Sequence, residues 1–121
     1  MILKDKFYTI NTIREEEGIL QAGISIDPGH EIFAGHFPGN PVTPGVVQME
    51  IIKELLTVHF NRIFQLKTMS NCKFLAVLNP SETPDVLVKI TLLPTATGTM
   101  KISGVISSGD STFLKIQAEY C

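Results

Sequence analysis

Tryptophan is absent from this 121-residue chain, and cysteine occurs only twice, at Cys72 and Cys121. Two cysteines make no disulfide framework, so the fold must rest on an apolar core. Two free thiols in a reducing compartment are the expected state. No apolar run reaches the roughly 20 residues needed to cross a bilayer. The start, Met1-Ile2-Leu3-Lys4-Asp5-Lys6, lacks the apolar stretch of a signal peptide, so the cytoplasm is the expected location and no membrane the expected partner. Charge of one sign is also scarce: 10 Lys and Arg stand against 12 Asp and Glu, a net of −2. There is no basic run and no stripe of Lys or Arg interleaved with aromatics, so nothing asks for nucleic acid. What is present is apolar: 44% of the residues are hydrophobic, ample for the core of one small domain covering residues 1–121.

Turn signals divide the chain. Apolar alternation predicts strands over 7–13, 18–26, 73–78, 85–93, 100–107 and 112–120. The block 46–66 has neither Gly nor Pro and predicts one helix of about 20 residues, about 30 Å long. The order is strand, strand, long helix, four strands. Connections among the last four are too short for crossover helices, so an antiparallel meander is expected there. The economical arrangement is α+β: a curved antiparallel sheet of about six strands wrapped around one central helix. On the helix wheel Val47, Met49, Ile51, Ile52, Leu55, Leu56, Val58, Phe60 and Ile63 cover more than half the circumference, which predicts a mostly buried helix. Glu50, Lys53, Glu54, Thr57 and Asn61 form the remaining polar stripe.

The stretch Gly35-His36-Phe37-Pro38-Gly39-Asn40-Pro41-Val42-Thr43-Pro44-Gly45 leads into that helix, and Glu50 follows five residues later. An imidazole sits in a loop stiffened by three prolines. The loop ends at a glycine whose N–H opens the helix, where backbone donors lack partners and the macrodipole is positive. Base, acid and exposed amide are the groups needed to move protons beside a carbonyl. Read alone, each has an ordinary alternative: His36 as a loop-capping histidine, Gly45 as a tight turn, Glu50 as a solvated surface carboxylate.

This pattern, with Glu50 fourteen residues after His36, resembles the signature of the β-hydroxyacyl-acyl carrier protein dehydratases, the FabZ/FabA-like enzymes of the hot-dog fold. The similarity extends upstream to Ile32-Phe33-Ala34 and downstream to Lys73-Phe74, the turn at Pro80 and the closing Ala118-Glu119. The resemblance implies that His36 is the base at the α-carbon and Glu50 the acid at the β-hydroxyl. Glutamate rather than aspartate at position 50 favours plain dehydration over the isomerising branch. It further implies an acyl carrier protein bearing a 3-hydroxyacyl chain as partner, and a homodimer, or an oligomer of dimers, whose sites take His36 from one chain and Glu50 from the other. The alternatives are a hot-dog thioesterase, with Glu50 activating water, and a non-catalytic acyl-binding partner subunit. The chain departs from the family in its shorter start, in Glu54 where glutamine is usual, and in Pro80-Ser81-Glu82-Thr83-Pro84-Asp85 after the third strand. These departures suggest a specialised relative in a secondary-metabolite or polyene pathway.

Gly45 and Val46 at the helix start and the rings of Phe33, Phe37 and Phe74 are candidate substrate contacts. Ordinary core packing is the alternative for the rings. Glu54, one turn from Glu50, is expected to raise its pKa by like charge, with Lys53 opposing. His30, His36 and His59 fit no metal-ligand spacing, and no cofactor is expected. Cys72 lacks a neighbouring base and reads as a buried thiol. Arg62, Lys67 and Lys73 are candidate docking cations for an acidic carrier.

Overall fold

The structure is a computed structural model that describes residues 2–35 and 41–121. Strands β1 (Tyr8–Glu16) and β2 (Ile19–Ile26) are followed by a 3-10 turn over Glu31–Gly35 and helix α1 (Gly45–Phe60). Strands β3 (Leu66–Phe74), β4 (Asp85–Pro94), β5 (Met100–Ser108) and β6 (Ser111–Tyr120) complete the order. All six strands join one sheet in the order β1-β2-β4-β5-β6-β3, with every neighbouring pair antiparallel. This is the hot-dog arrangement the sequence led us to expect: among the described residues, one six-stranded sheet and one α-helix.

Period-2 alternation gives the sheet an apolar inner face. Val86, Val88, Ile90 and Leu92 of β4 and Ile102 and Ile106 of β5 are buried, while their chain neighbours are not. Ile51, Ile52, Leu55 and Leu56 of α1 are buried with them in one core. Gly104, in the middle of β5, makes the close approach possible. A Cβ there would stand 3.1 Å from Ile52 Cδ1 and 3.0 Å from Ile116 Cγ2.

Three details depart from expectation. The helix ends at Phe60, not at residue 66, because Asn61 turns left-handed (φ 51°) and its amide closes on the Thr57 carbonyl. Ile63, assigned to the buried arc, lies beyond that end and reaches the surface, and Val58 and Phe60, in the last turn, are exposed as well. Strand β3 begins seven residues before the predicted 73 and stops at Phe74. It is an edge strand with mostly exposed residues, so it carries no apolar alternation to betray it. Only β4, β5 and β6 form a meander; β3 pairs with β6 at the far edge. The connection 75–84 carries the chain back across. On the way the Leu78 carbonyl accepts from the Thr43 amide at 2.8 Å, which ties this connection to the entrance of α1.

Candidate active site

Helix α1 starts because Pro44, in extended conformation (φ −59°, ψ 149°), feeds Gly45 into a run of strong apolar helix residues. No side chain caps this end and its first turn holds no acid. The Pro44 carbonyl accepts from the amides of Val47 and Gln48, each at 3.1 Å. Among the described residues no acceptor meets the amides of Gly45 and Val46. Val46 is 69% exposed, and the half-exposed ring of Phe74 lies over Gly45. The fit is close: a Cβ on Gly45 would stand 2.5 Å from Phe74 Cζ. The helix start is thus an open pair of donors under an aromatic ring.

Glu50 lies about 7.5 Å further along the axis. Its carboxylate is largely shielded, with 20% of the side chain exposed, and Lys53 Nζ stands 3.7 Å away. It borders a groove of about 350 Å³ shared with Ile2, Lys4, Glu54, Thr57 and Ile63. Two buried phenols feel its charge. Burial first, then the negative charges of Glu50 and Cys72, push the Tyr120 hydroxyl up to about 12. Tyr8 is raised further by burial, by the charge of Glu54 and by its hydrogen bond to that carboxylate.

Glu54 has another task than the one expected of it. Its carboxylate accepts from the amides of Leu3 (2.8 Å) and Lys4 (3.0 Å) and from the Tyr8 hydroxyl (3.0 Å). It fastens the start of the chain along the groove wall. A sequence signal for this existed, since a carboxylate replaces the usual amide, but its donors lie 46 to 51 residues away. Gln48 also supports the site. It is 3% exposed, and its Nε2 donates to the Thr43 carbonyl at 3.2 Å, bracing the loop before the helix. The signal was a lone amide side chain inside the apolar arc.

His36 and Phe37 lie outside the described residues. Phe33 is buried against Phe7, ring centres 5.3 Å apart, and borders a second cavity of about 410 Å³ with His30, Pro41 and Ser81. Glu50, Gly45, Val46 and Phe74 are therefore brought to the N-terminal half of α1, and Phe33 sits apart in the core. Burial raises the half-buried Cys72 thiol. The three candidate docking cations do not form one patch. Arg62 stacks on Phe64 at 4.6 Å, Lys67 reaches Glu119 at 3.7 Å, and Lys73 lies six residues, about 20 Å, further along the strand direction. No described group of His, Cys, Asp and Glu could hold a metal ion, and no described helix is long and apolar enough to cross a membrane.

A family model described as ApeI dehydratase, of the ApeI-like family, matches residues 12–110. The 3-hydroxyacyl-(acyl-carrier-protein) dehydratase FabZ of Thermoanaerobacter sp. is 27% identical over 113 residues, covering 86% of this chain and 78% of that protein. The FabZ of Levilactobacillus brevis is 30% identical over 101 residues, covering 74% and 68%. Among solved structures, the dehydratase heterocomplex ApeI:P from Xenorhabdus doucetiae superposes with a TM-score of 0.72 at 19% identity, over 93% of this chain and 96% of that one. A mutant thioesterase from Staphylococcus aureus has a TM-score of 0.66 at 10% identity, over 94% and 91%. Likeness at these identities is a likeness of fold.

Proposed function

The chain belongs to the ApeI-like dehydratase family, and from that premise we propose that it removes water from a (3R)-hydroxyacyl thioester carried on acyl carrier protein, giving the trans-2-enoyl thioester. The observation that carries this reading is one helix offering both the open amides of Gly45 and Val46 and, on a groove wall, the Glu50 carboxyl. His36 takes the C2 proton. The C2–H electrons form the C2=C3 bond, and the thioester oxygen carries developing negative charge. The Gly45 amide, backed by the helix dipole, donates to that oxygen. Glu50 acts as the acid, delivering a proton to the C3 hydroxyl as the C3–O bond breaks, and water leaves. Val46 and Phe74 flank the thioester end.

We place the second copy on the edge strand β3. Its backbone edge is unpaired among the described strands, and it presents Leu66, Met69 and Phe74 to solvent. A twofold contact there covers an edge that would otherwise invite aggregation. The heterocomplex form of the Xenorhabdus neighbour makes a mixed dimer the second reading; the mass of the purified assembly separates the two.

The test uses purified protein with 3-hydroxyacyl-carrier thioesters, following enoyl absorbance and free thiol in parallel. Enoyl product without thiol is expected; thiol release without enoyl product makes the chain a thioesterase. His36→Ala and Glu50→Gln should each lower turnover by about 10²–10⁴-fold while the protein stays folded. Refolding the two inactive variants together should restore about 25% of activity, because half the dimers are mixed and each holds one intact site. A mixture that stays inactive, with mixed dimers shown by mass, removes the shared site.

A further inference from the structure

The outer face of the sheet carries a row of cations that the dehydratase reading does not use. Register runs straight across all six strands: Arg14 of β1 faces Gln21 of β2, then come Lys89 of β4, Val105 of β5, Lys115 of β6 and Lys73 of β3. Directly opposed residues share a face. Here it is the outer one, because Val88, Ile90, Leu114 and Ile116, the chain neighbours of Lys89 and Lys115, are all buried. At about 4.8 Å between strands the row is about 24 Å long. It gathers four of the chain's 10 basic residues in a protein whose net charge is −2.

Nothing within the sheet balances them. Ion pairs among the described residues engage Lys4, Lys53, His59 and Lys67, and none engages Arg14, Lys73, Lys89 or Lys115. In the two flanking rows of the same face the one acid is Glu16, at the end of β1. Lys73 and Lys115 stand directly opposite each other. Like charges so placed weaken a sheet, and a local rule broken without a local gain marks a surface kept for something outside it.

We propose that this face docks an acidic protein surface, a row of carboxylates meeting Arg14, Lys89, Lys115 and Lys73. Val105 within the row and Leu87, 39% exposed beside it, supply the apolar contacts that a protein interface sets among its charges. They also set this face apart from a nucleic-acid groove, which stacks bases on aromatic rings, of which the row has none. A membrane surface calls for a broad band of large apolar side chains beside the cations, wider than Val105 and Leu87 provide. The proposal stands apart from the catalytic reading, since none of its residues touches the groove at Glu50.

The test measures fluorescence anisotropy of a labelled 20-residue helical peptide of Glu and Ala against the intact protein. The comparison ligands are the Gln counterpart of the peptide, a 20-mer of single-stranded DNA and vesicles of phosphatidylserine. The Glu peptide alone should bind, weakening as salt rises. Lys89→Glu/Lys115→Glu should weaken it at least tenfold, with turnover of a carrier-free thioester unchanged. Lys89→Gln/Lys115→Gln gives the same reading should charge reversal impair folding, and its melting temperature should equal or exceed that of the wild type because the opposed pair is relieved. Equal binding of the Glu peptide by wild type and both variants overturns the proposal, as does tighter, row-dependent binding of DNA or vesicles.

Discussion

The two ends of α1 are built to opposite rules. The C-terminal end is closed. Asn61 takes the left-handed conformation and donates its amide to the Thr57 carbonyl, which also accepts from the Arg62 amide at 3.3 Å. His59 in the last turn meets Glu15 at 2.5 Å, and Arg62 covers Phe64. The N-terminal end is left open: proline in place of a capping side chain, no acid in the first turn, and two amides without an acceptor among the described residues. A helix end that forgoes a cap gives up about 1 kcal/mol. The contrast is that of a closed end that serves the fold and an open end that, in the proposed function, receives the thioester oxygen.

The sharpest way to break that contrast is Gly45→Ala. The new Cβ would meet the Phe74 ring at 2.5 Å, and the half-exposed ring can swing away. Turnover of a hydroxyacyl thioester should fall about 10²-fold, the scale of one mispositioned amide donor, while the melting temperature barely moves. Gly45→Ala with Phe74→Ala should recover part of the loss; an activity loss matched by a stability loss would make Gly45 merely structural. Next in size is Glu54→Ala. It strands two amides and the Tyr8 hydroxyl, and a loss of about 2 kcal/mol is expected from unmet donors. Hydrogen exchange at Leu3 and Lys4 should quicken, and unchanged exchange there would mean the carboxylate does not hold the groove wall. Smallest is the closed end. Asn61→Ala should cost about 1 kcal/mol, and Asn61→Gly should be neutral or better, because only glycine is at ease at positive φ. Neither should alter turnover, and a fall in turnover would show that the closed end also serves the site.

Most of the sheet was legible because β2, β4, β5 and β6 bury one face each, and burial of one face writes period-2 alternation into the sequence. The same reasoning failed at β3. A mostly exposed strand at the edge gets its pairing from β6 and leaves no alternating pattern of its own. The helix was legible as a block, but its end was not. Apolar residues continue past Phe60, and what stops the helix is the conformation of one asparagine. In the candidate site, the proline-rich loop, the glycine and Glu50 could be singled out from the family-like motif. The work of Glu54 could not, because its three donors come from the far end of the chain.

By itself, then, the sequence determined the family signature and the element order, and it singled out Glu50 and Gly45 as the proposed acid and amide donor. These are local matters: residue types, their spacing along the chain, and periodicity. Tertiary structure decided what faces what. It placed the Phe74 ring over Gly45, fastened residues 3 and 4 to Glu54, put β3 beyond β6, and aligned Arg14, Lys89, Lys115 and Lys73 from four strands into one row. The physical reason is register. The partner of a residue across a sheet or against a helix is set by which strands lie side by side and how they slide, and no short stretch of chain carries that information.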